Sequence, residues 1–342
     1  MRFLPTSDQQ AMAEAVRDAL AKECTPEVLR NAGDPARDRR IWGALASLGV
    51  FGLTVPEKAG GLGLDQRDAV GVFEEIGRAA VPGPIAEAFA ACQLLASAPE
   101  DGPASGWLDS IAAGDAVVSV GLGATPLVES ADQADLLIMQ HGTELHAVAA
   151  SGTRVKRAKS VDANRRLFTV EWQPSQETLL TAGGEALASV RDHLLLATSA
   201  QLVGLAGKLL DLAVRHVSVR EQFGRPLGTL QAVQHRLADV AVGIEFAEPV
   251  VARAACSLAA GVPSGPRDVA MAKVFASQAA ERAAYSGLQV HGAIGYTREH
   301  EFHLYALRAW ALALAHGDAR RHRQRVADDL LGGSPAPRFP AG

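Results

Sequence analysis

Helical apolar periodicity runs almost without interruption from residue 191 to 330, and no other property of the chain restricts its fold as much. Its breaks fall at Gly224 to Gly228, Gly261 to Pro266 and Gly292 to Gly295. Four long amphipathic segments with connections this short read as an antiparallel four-helix bundle. The sharpest break lies in Arg220-Glu221-Gln222-Phe223-Gly224-Arg225-Pro226-Leu227-Gly228. Leu202, Leu205, Leu209, Ala213 and His216 share one helical face before it, and Leu230, Val233, Leu237, Val240 and Ile244 share one after it. Two helices therefore meet at a polar corner. An arginine, several side-chain amides and an exposed aromatic there can hold a phosphate-bearing ligand, because guanidinium forks phosphate and amides bond a sugar or base. The plainer reading of these residues alone is an ordinary interhelical turn.

Upstream, Thr6-Ser7-Asp8 offers caps for a helix carrying Ala11, Met12, Val16, Leu20 and Ala21 on one face. Asp38 to Leu48 is a second helix with Gly49 as a left-handed cap, and Ala69 to Ala80 and Pro84 to Ala98 supply two more. The glycine-dense stretch between them, Val50 to Asp65, reads as a flexible connector on its own terms. From about Ala116 the pattern changes to short apolar runs at Val117–Val120, Leu136–Met139, Leu145–Ala149 and Leu167–Val170. The expected fold is mainly α with a small antiparallel β domain. Its divisions are an N-terminal helical domain at 1–115, a reduced β domain at 116–190, a helical bundle at 191–331 and a mobile tail at 332–342.

With 48% hydrophobic and 21% charged residues in 342, the chain can bury a large core. A net charge of -5 argues against nucleic-acid binding, which needs a concentrated basic face. Cys24, Cys92 and Cys256 are too scattered for a metal set and read as reduced, mostly buried thiols; no metal is expected. The start of the chain does not read as a signal peptide. The most apolar run, Leu194 to Leu212, holds Ser199, Gln201, Lys208 and Asp211. A cytoplasmic protein without membrane insertion is expected.

Three segments carry a resemblance to the acyl-CoA dehydrogenase family. One is Arg220-x-x-Phe223-Gly224-x-Pro226 followed by Gln231-x-x-Gln234-x-x-Leu237-Ala238-Asp239. Another runs from Trp42 through Leu48-Gly49-x-Phe51-Gly52-Leu53 and Val55-Pro56-Glu57 to Gly60-Gly61-x-Gly63. The third is Gln289-Val290-His291-Gly292-Ala293-Ile294-Gly295-Tyr296-Thr297-x-Glu299. The resemblance implies that the corner reaches across a subunit interface to the pyrophosphate and adenosine part of FAD. Arg220, Gln222, Phe223 and Gln231 would act there, with Gln289, Val290, Gly292 and Ala293 from the third segment. Small residues in that segment let backbone N–H groups approach a pyrophosphate, although Ala293 stands where the family has a second glycine.

The chain departs from the family in its β region. Gly121-Leu122-Gly123-Ala124-Thr125-Pro126 runs straight into Leu127-Val128-Glu129-Ser130, without the Gly-Ser-Asp loop, and the later aromatic-Ile-Thr-Asn segment is missing. A reduced or missing flavin-ring pocket follows. The family reaction also needs a carboxylate to take a proton from the carbon beside a thioester. Matched through Arg308, its usual position is His316-Gly317-Asp318; the position used by a minority of members is Leu194. Neither offers a glutamate, and no catalytic residue is expected in this chain. His316, Asp318 and Asp192 are the substitutes, with Asp318 and Asp192 read more plainly as helix caps or partners of Arg320 or Arg191. The run Arg320 to Arg325 reads as a solvated helix face.

Such a chain resembles the shortened subunit of the α2β2 acyl-CoA dehydrogenases of actinobacterial steroid side-chain breakdown. That implies a second subunit bringing the catalytic Glu, a bulky acyl-CoA substrate and electron-transfer flavoprotein as the acceptor. Two alternatives stand beside it: a self-sufficient homo-oligomer with an unusual base, and a purely structural subunit that binds no flavin.

Overall fold

A computed structural model describes residues 4–99, 102–124 and 126–332. Thr125 and residues 333–342 of the expected tail lie outside the described residues. Helix α1 (Ser7–Glu23) begins where Thr6 accepts from the Gln9 amide while the Gln9 side chain accepts from the Thr6 amide, a reciprocal cap. Helices α2 (Pro26–Arg30) and α3 (Pro35–Ser47) each open with proline behind a capping Thr25 or Asp34. Gly49, at φ +72°, follows α3 in the left-handed conformation expected of it. The glycine-dense stretch that follows is a packed element: Val50, Phe51, Leu53 and Val55 are buried, and Phe51 stacks on Trp42 at 4.0 Å. Helices α4 (Gln66–Arg78), α5 (Ile85–Leu95) and α6 (Trp107–Ala112) complete this part.

Seven strands follow: β1 (Val118–Gly121), β2 (Val128–Glu129), β3 (Leu136–His141), β4 (Glu144–Ala149), β5 (Arg154–Ala158), β6 (Leu167–Glu171) and β7 (Leu179–Ala182). One sheet has the order β1-β3-β4-β7 and the other β2-β6-β5. The expectation of a purely antiparallel domain is corrected at one pair, because β1 and β3 run parallel, Val118 opposite Leu136. The intervening chain passes through β2 in the other sheet and returns to the same end, which is the crossover a parallel pair requires. Val128, Leu137, Met139, Val148 and Phe168 fill the space between the sheets. Strand β5 escaped the sequence reading because almost all of its residues are exposed, so it shows no apolar run.

The bundle consists of α7 (Gly184–Val219), α8 (Gln231–Ala259), α9 (Gly265–His291), α10 (Phe302–Leu314) and α11 (Ala319–Leu330). Helix α7 starts ahead of Arg191. It is long and apolar enough to cross a membrane, yet 83% of its most apolar window is buried inside the protein. The expected fourth long segment is instead two helices, α10 and α11. Between them His316 (φ +57°) and Gly317 (φ +106°) adopt backbone conformations that no α-helix can contain. The fully buried Lys273 of α9 holds this break, its Nζ donating to the carbonyls of Ala313 (2.8 Å) and Gly317 (3.3 Å). One hydrophobic core runs through the N-terminal helices, one face of the β1–β3–β4 sheet and the bundle. A mainly helical protein with a small β domain is therefore what the chain builds.

Candidate functional site: a hairpin corner and a basic cleft

Between α7 and α8 the chain forms a two-pair hairpin, β8 (Glu221–Gln222) against β9 (Arg225–Pro226). Its two-residue loop has positive φ at both Phe223 (+56°) and Gly224 (+72°), the requirement of a type I′ turn. Phenylalanine rarely adopts that conformation, and here the residue is 87% exposed at the tip. A strained, solvent-facing aromatic points to a contact made with something outside the chain. Arg220, the residue that ends α7, and Gln222 are exposed beside it. Gln231 is the exposed first residue of α8, whose cap residue Leu230 has no side-chain acceptor for the leading amides. Those amides and the Arg220 guanidinium favour an anion.

The third motif sits at the same end of the bundle. Val290 packs into the small cluster formed by Ala213, Val217, Leu237, Leu227 and Val233 beneath the hairpin. Gln289, Gly292 and Ala293 are exposed. Gly292 has φ +62°, and a Cβ built there meets nothing within 4 Å, so its backbone faces open space that a ligand could enter. Gly295 serves packing instead, since a Cβ there would come within 2.9 Å of His291. Behind this loop three imidazoles cluster: His291 stacks on His216 at 4.3 Å and meets His300 at 4.7 Å. Burial holds all three below the ordinary histidine pKa, His291 down to about 4; repulsion within the cluster adds to it at His216 and His291, and Arg215, Arg30 and His303 add to it at His300.

Of the sequence-predicted base positions, Leu194, His316 and Asp318 line one cleft of about 810 Å³, and Asp192 meets it only through its bond to Arg325. Leu122, Leu194, His316, Asp318, Arg321 and Arg325 are among its lining, with Arg191 and Arg320. The run Arg320 to Arg325 is thus only partly a solvated face. Asp318 is engaged as the cap of α11, accepting from the Arg321 amide at 2.8 Å. Asp192 is buried and bonded to Arg325 at 2.8 Å, so its partner is neither Arg191 nor Arg320. Burial raises the Asp192 carboxyl pKa against the pull of Arg325. His316 Nε2 lies 3.6 Å from Oε1 of Glu87, a buried carboxylate on α5. Burial would raise the Glu87 pKa, but contact with His316 and the charge of Arg165 outweigh it and hold it below the usual range. Sequence reasoning missed Glu87 and Lys273 because each lies far along the chain from the turn it supports, on a helix with no local motif.

Comparison with known proteins adds the following. The profile of the acyl-CoA dehydrogenase N-terminal domain matches residues 6–115, and that of the C-terminal domain matches residues 191–331. Acyl-CoA dehydrogenase IpdE2 of Mycobacterium tuberculosis is 34% identical over 322 residues, covering 92% of this chain and 93% of the relative. A solved variant of the Tcur3481-Tcur3483 steroid ACAD superposes with a TM-score of 0.85 at 25% identity, covering 96% of this chain and 99% of that one. The ChsE4-ChsE5 complex from Mycobacterium tuberculosis shares the fold with a TM-score of 0.85 at 24% identity, covering 98% and 100%.

Proposed function

The chain belongs to the acyl-CoA dehydrogenase family, and from that we propose that it is the FAD-gripping subunit of a heteromeric α2β2 enzyme. The enzyme would desaturate a CoA thioester between its α and β carbons, the substrate being a bulky acyl-CoA of the steroid side-chain class. A steroid ACAD and a two-component complex among the similar structures support that class and that assembly. The domains are taken as 1–115, 116–190 and 191–331, the location as the cytoplasm, and electron-transfer flavoprotein as the acceptor. When bound, FAD takes the hydride that leaves the carbon next to the deprotonated one.

This chain's part in the reaction is to hold and orient. Arg220 and the leading amides of α8 would neutralise the pyrophosphate. Phe223 would lie against the nucleotide, and Gln222, Gln231 and Gln289 would bond its sugar and base. Gly292 and Ala293 would let the main chain approach, and Val290 ties that loop to the hairpin. In this reading the proton passes to a glutamate of the partner subunit, since Asp318 and Asp192 already serve a helix cap and Arg325.

The observation that carries the proposal is the type I′ hairpin presenting an 87%-exposed Phe223 beside Arg220. The test is Arg220→Ala, co-expressed with a second acyl-CoA dehydrogenase subunit and read by the flavin absorbance of the purified complex. FAD content should fall at least tenfold, as expected when a charge-assisted bond of about 1.5–3 kcal/mol is lost. Unchanged content rejects the gripping role. A second reading, a base within this chain, is favoured by one observation: His316 lines the cleft with a buried carboxylate, Glu87, behind its ring.

A further inference from the structure

We propose that the β3–β4 hairpin carries a binding site for a divalent transition-metal ion, held by His141 Nδ1, Glu144 Oε2 and His146 Nε2. The sequence reading, which weighed cysteine spacing, expected no metal. The hairpin changes this by placing His141 directly opposite Glu144 across the Gly142-Thr143 turn. His146, two residues past Glu144, emerges on the same face of the strand. Three side chains of metal-ligating type thus converge at one end of a hydrogen-bonded ladder, on a rigid element.

The distances fit a central ion better than they fit hydrogen bonds. Glu144 Oε2 lies 3.4 Å from His146 Nε2 and 3.6 Å from His141 Nδ1. A charge-assisted N–H···O bond would be about 2.7–2.9 Å. Ligand atoms at about 2.0–2.1 Å from a tetrahedral zinc are about 3.3–3.4 Å apart, close to both values. The two imidazole rings meet at 70°, so their in-plane lone pairs can point to a common centre.

His146 is also held as metal ligands usually are. It is 2% exposed, its Nδ1 lies 3.0 Å from Thr178 Oγ1, and Trp172 packs on its ring at 5.2 Å. Thr178 Oγ1 can accept from Nδ1–H while donating to the Ser175 carbonyl (3.1 Å), which leaves the Nε2 lone pair aimed at Glu144. Two imidazoles and one carboxylate select zinc, cobalt, nickel or copper over calcium or magnesium. An ion there would fasten the hairpin end to the segment that opens β7, because the Thr178 carbonyl also accepts from the Ala147 amide.

The other histidine cluster lacks these properties. His216 and His291 stack with planes 24° apart, so their lone pairs run side by side, and His300 Nδ1 accepts from the Phe302 amide. It therefore serves as the control. The full-length chain, stripped with a chelator, is titrated with zinc and cobalt by calorimetry and visible absorption. One ion per chain is expected, with a cobalt d–d band. His141→Ala and Glu144→Gln should each weaken binding about 100-fold or more, while His216→Ala leaves it unchanged. His141 is largely exposed, so its variant does not endanger folding. Equal binding by wild type and His141→Ala, or loss in His216→Ala alone, overturns the site. So does the absence of any binding tighter than about 1 mM, a free energy of only about -4 kcal/mol.

Discussion

Phe223 sets function against local stability. An L-residue in the left-handed region costs roughly 1–2 kcal/mol, and the first position of a type I′ turn favours asparagine. Phe223→Asn should therefore raise stability by about 1 kcal/mol in a denaturant melt while lowering the FAD content of the assembled enzyme. A loss of both would mean that the ring packs within this chain. Histidine gives the pH dependence. His291 is 5% exposed and lowered to about 4 by burial, and the buried His322 is lowered likewise by burial and by Lys273. The unfolded chain takes up these protons below about pH 6.5, and the folded chain only near 4. Stability is thus fully present above 6.5 and is lost as pH falls towards 4, on the order of 3 kcal/mol for each group. His291→Gln should flatten the fall in melting temperature between pH 6.5 and 4; an identical slope would place the proton uptake elsewhere.

Helices α4 and α7 cross so closely that side chains are excluded from the contact. A Cβ on Gly204 would sit 1.8 Å from the Glu74 carbonyl oxygen, and one on Gly77 would sit 2.0 Å from that of Gln201. Gly204→Ala must therefore push the N-terminal helices off the bundle. A loss of about 1–3 kcal/mol or more is expected in a urea melt, although alanine is the better helix former by about 1 kcal/mol. A neutral result would show that the crossing can slide. Nothing in the sequence marks these glycines, because each lies inside an otherwise regular helical pattern and acquires its meaning from a helix distant in the chain. The break between α10 and α11 was illegible for the same reason: Ala-rich flanks favour helix, and Lys273 from α9 supplies the carbonyl contacts that end it. Elements with strong local signals were readable, among them the capped α1, the Gly49 stop and the strands with buried apolar runs. At the candidate site the motif residues on the hairpin and glycine loop were legible too, whereas Glu87 beneath His316 was not.

At the scale of the molecule, the hairpin end and the cleft differ in kind. The hairpin end presents apolar side chains to solvent, with Val219, Phe223 and Tyr296 all more than three-quarters exposed; Val242 and Phe246, midway along α8, are exposed as well. Exposed apolar groups gathered at one end of a bundle suit a contact with another subunit. The cleft is basic, and the acids that line it are committed, Asp318 to a helix cap and Asp328 to Gln324. If the partner carries the base, changing this cleft should leave catalysis nearly intact. In the assembled dehydrogenase, His316→Gln and Asp318→Asn are expected to keep kcat within about threefold, the asparagine still able to cap α11. A general base contributes about 10²–10⁴ in rate. A fall of that size in His316→Gln, together with loss of the same acidic limb of the pH profile in Glu87→Gln, would transfer proton abstraction to this chain and leave Arg220 and Phe223 with the nucleotide alone.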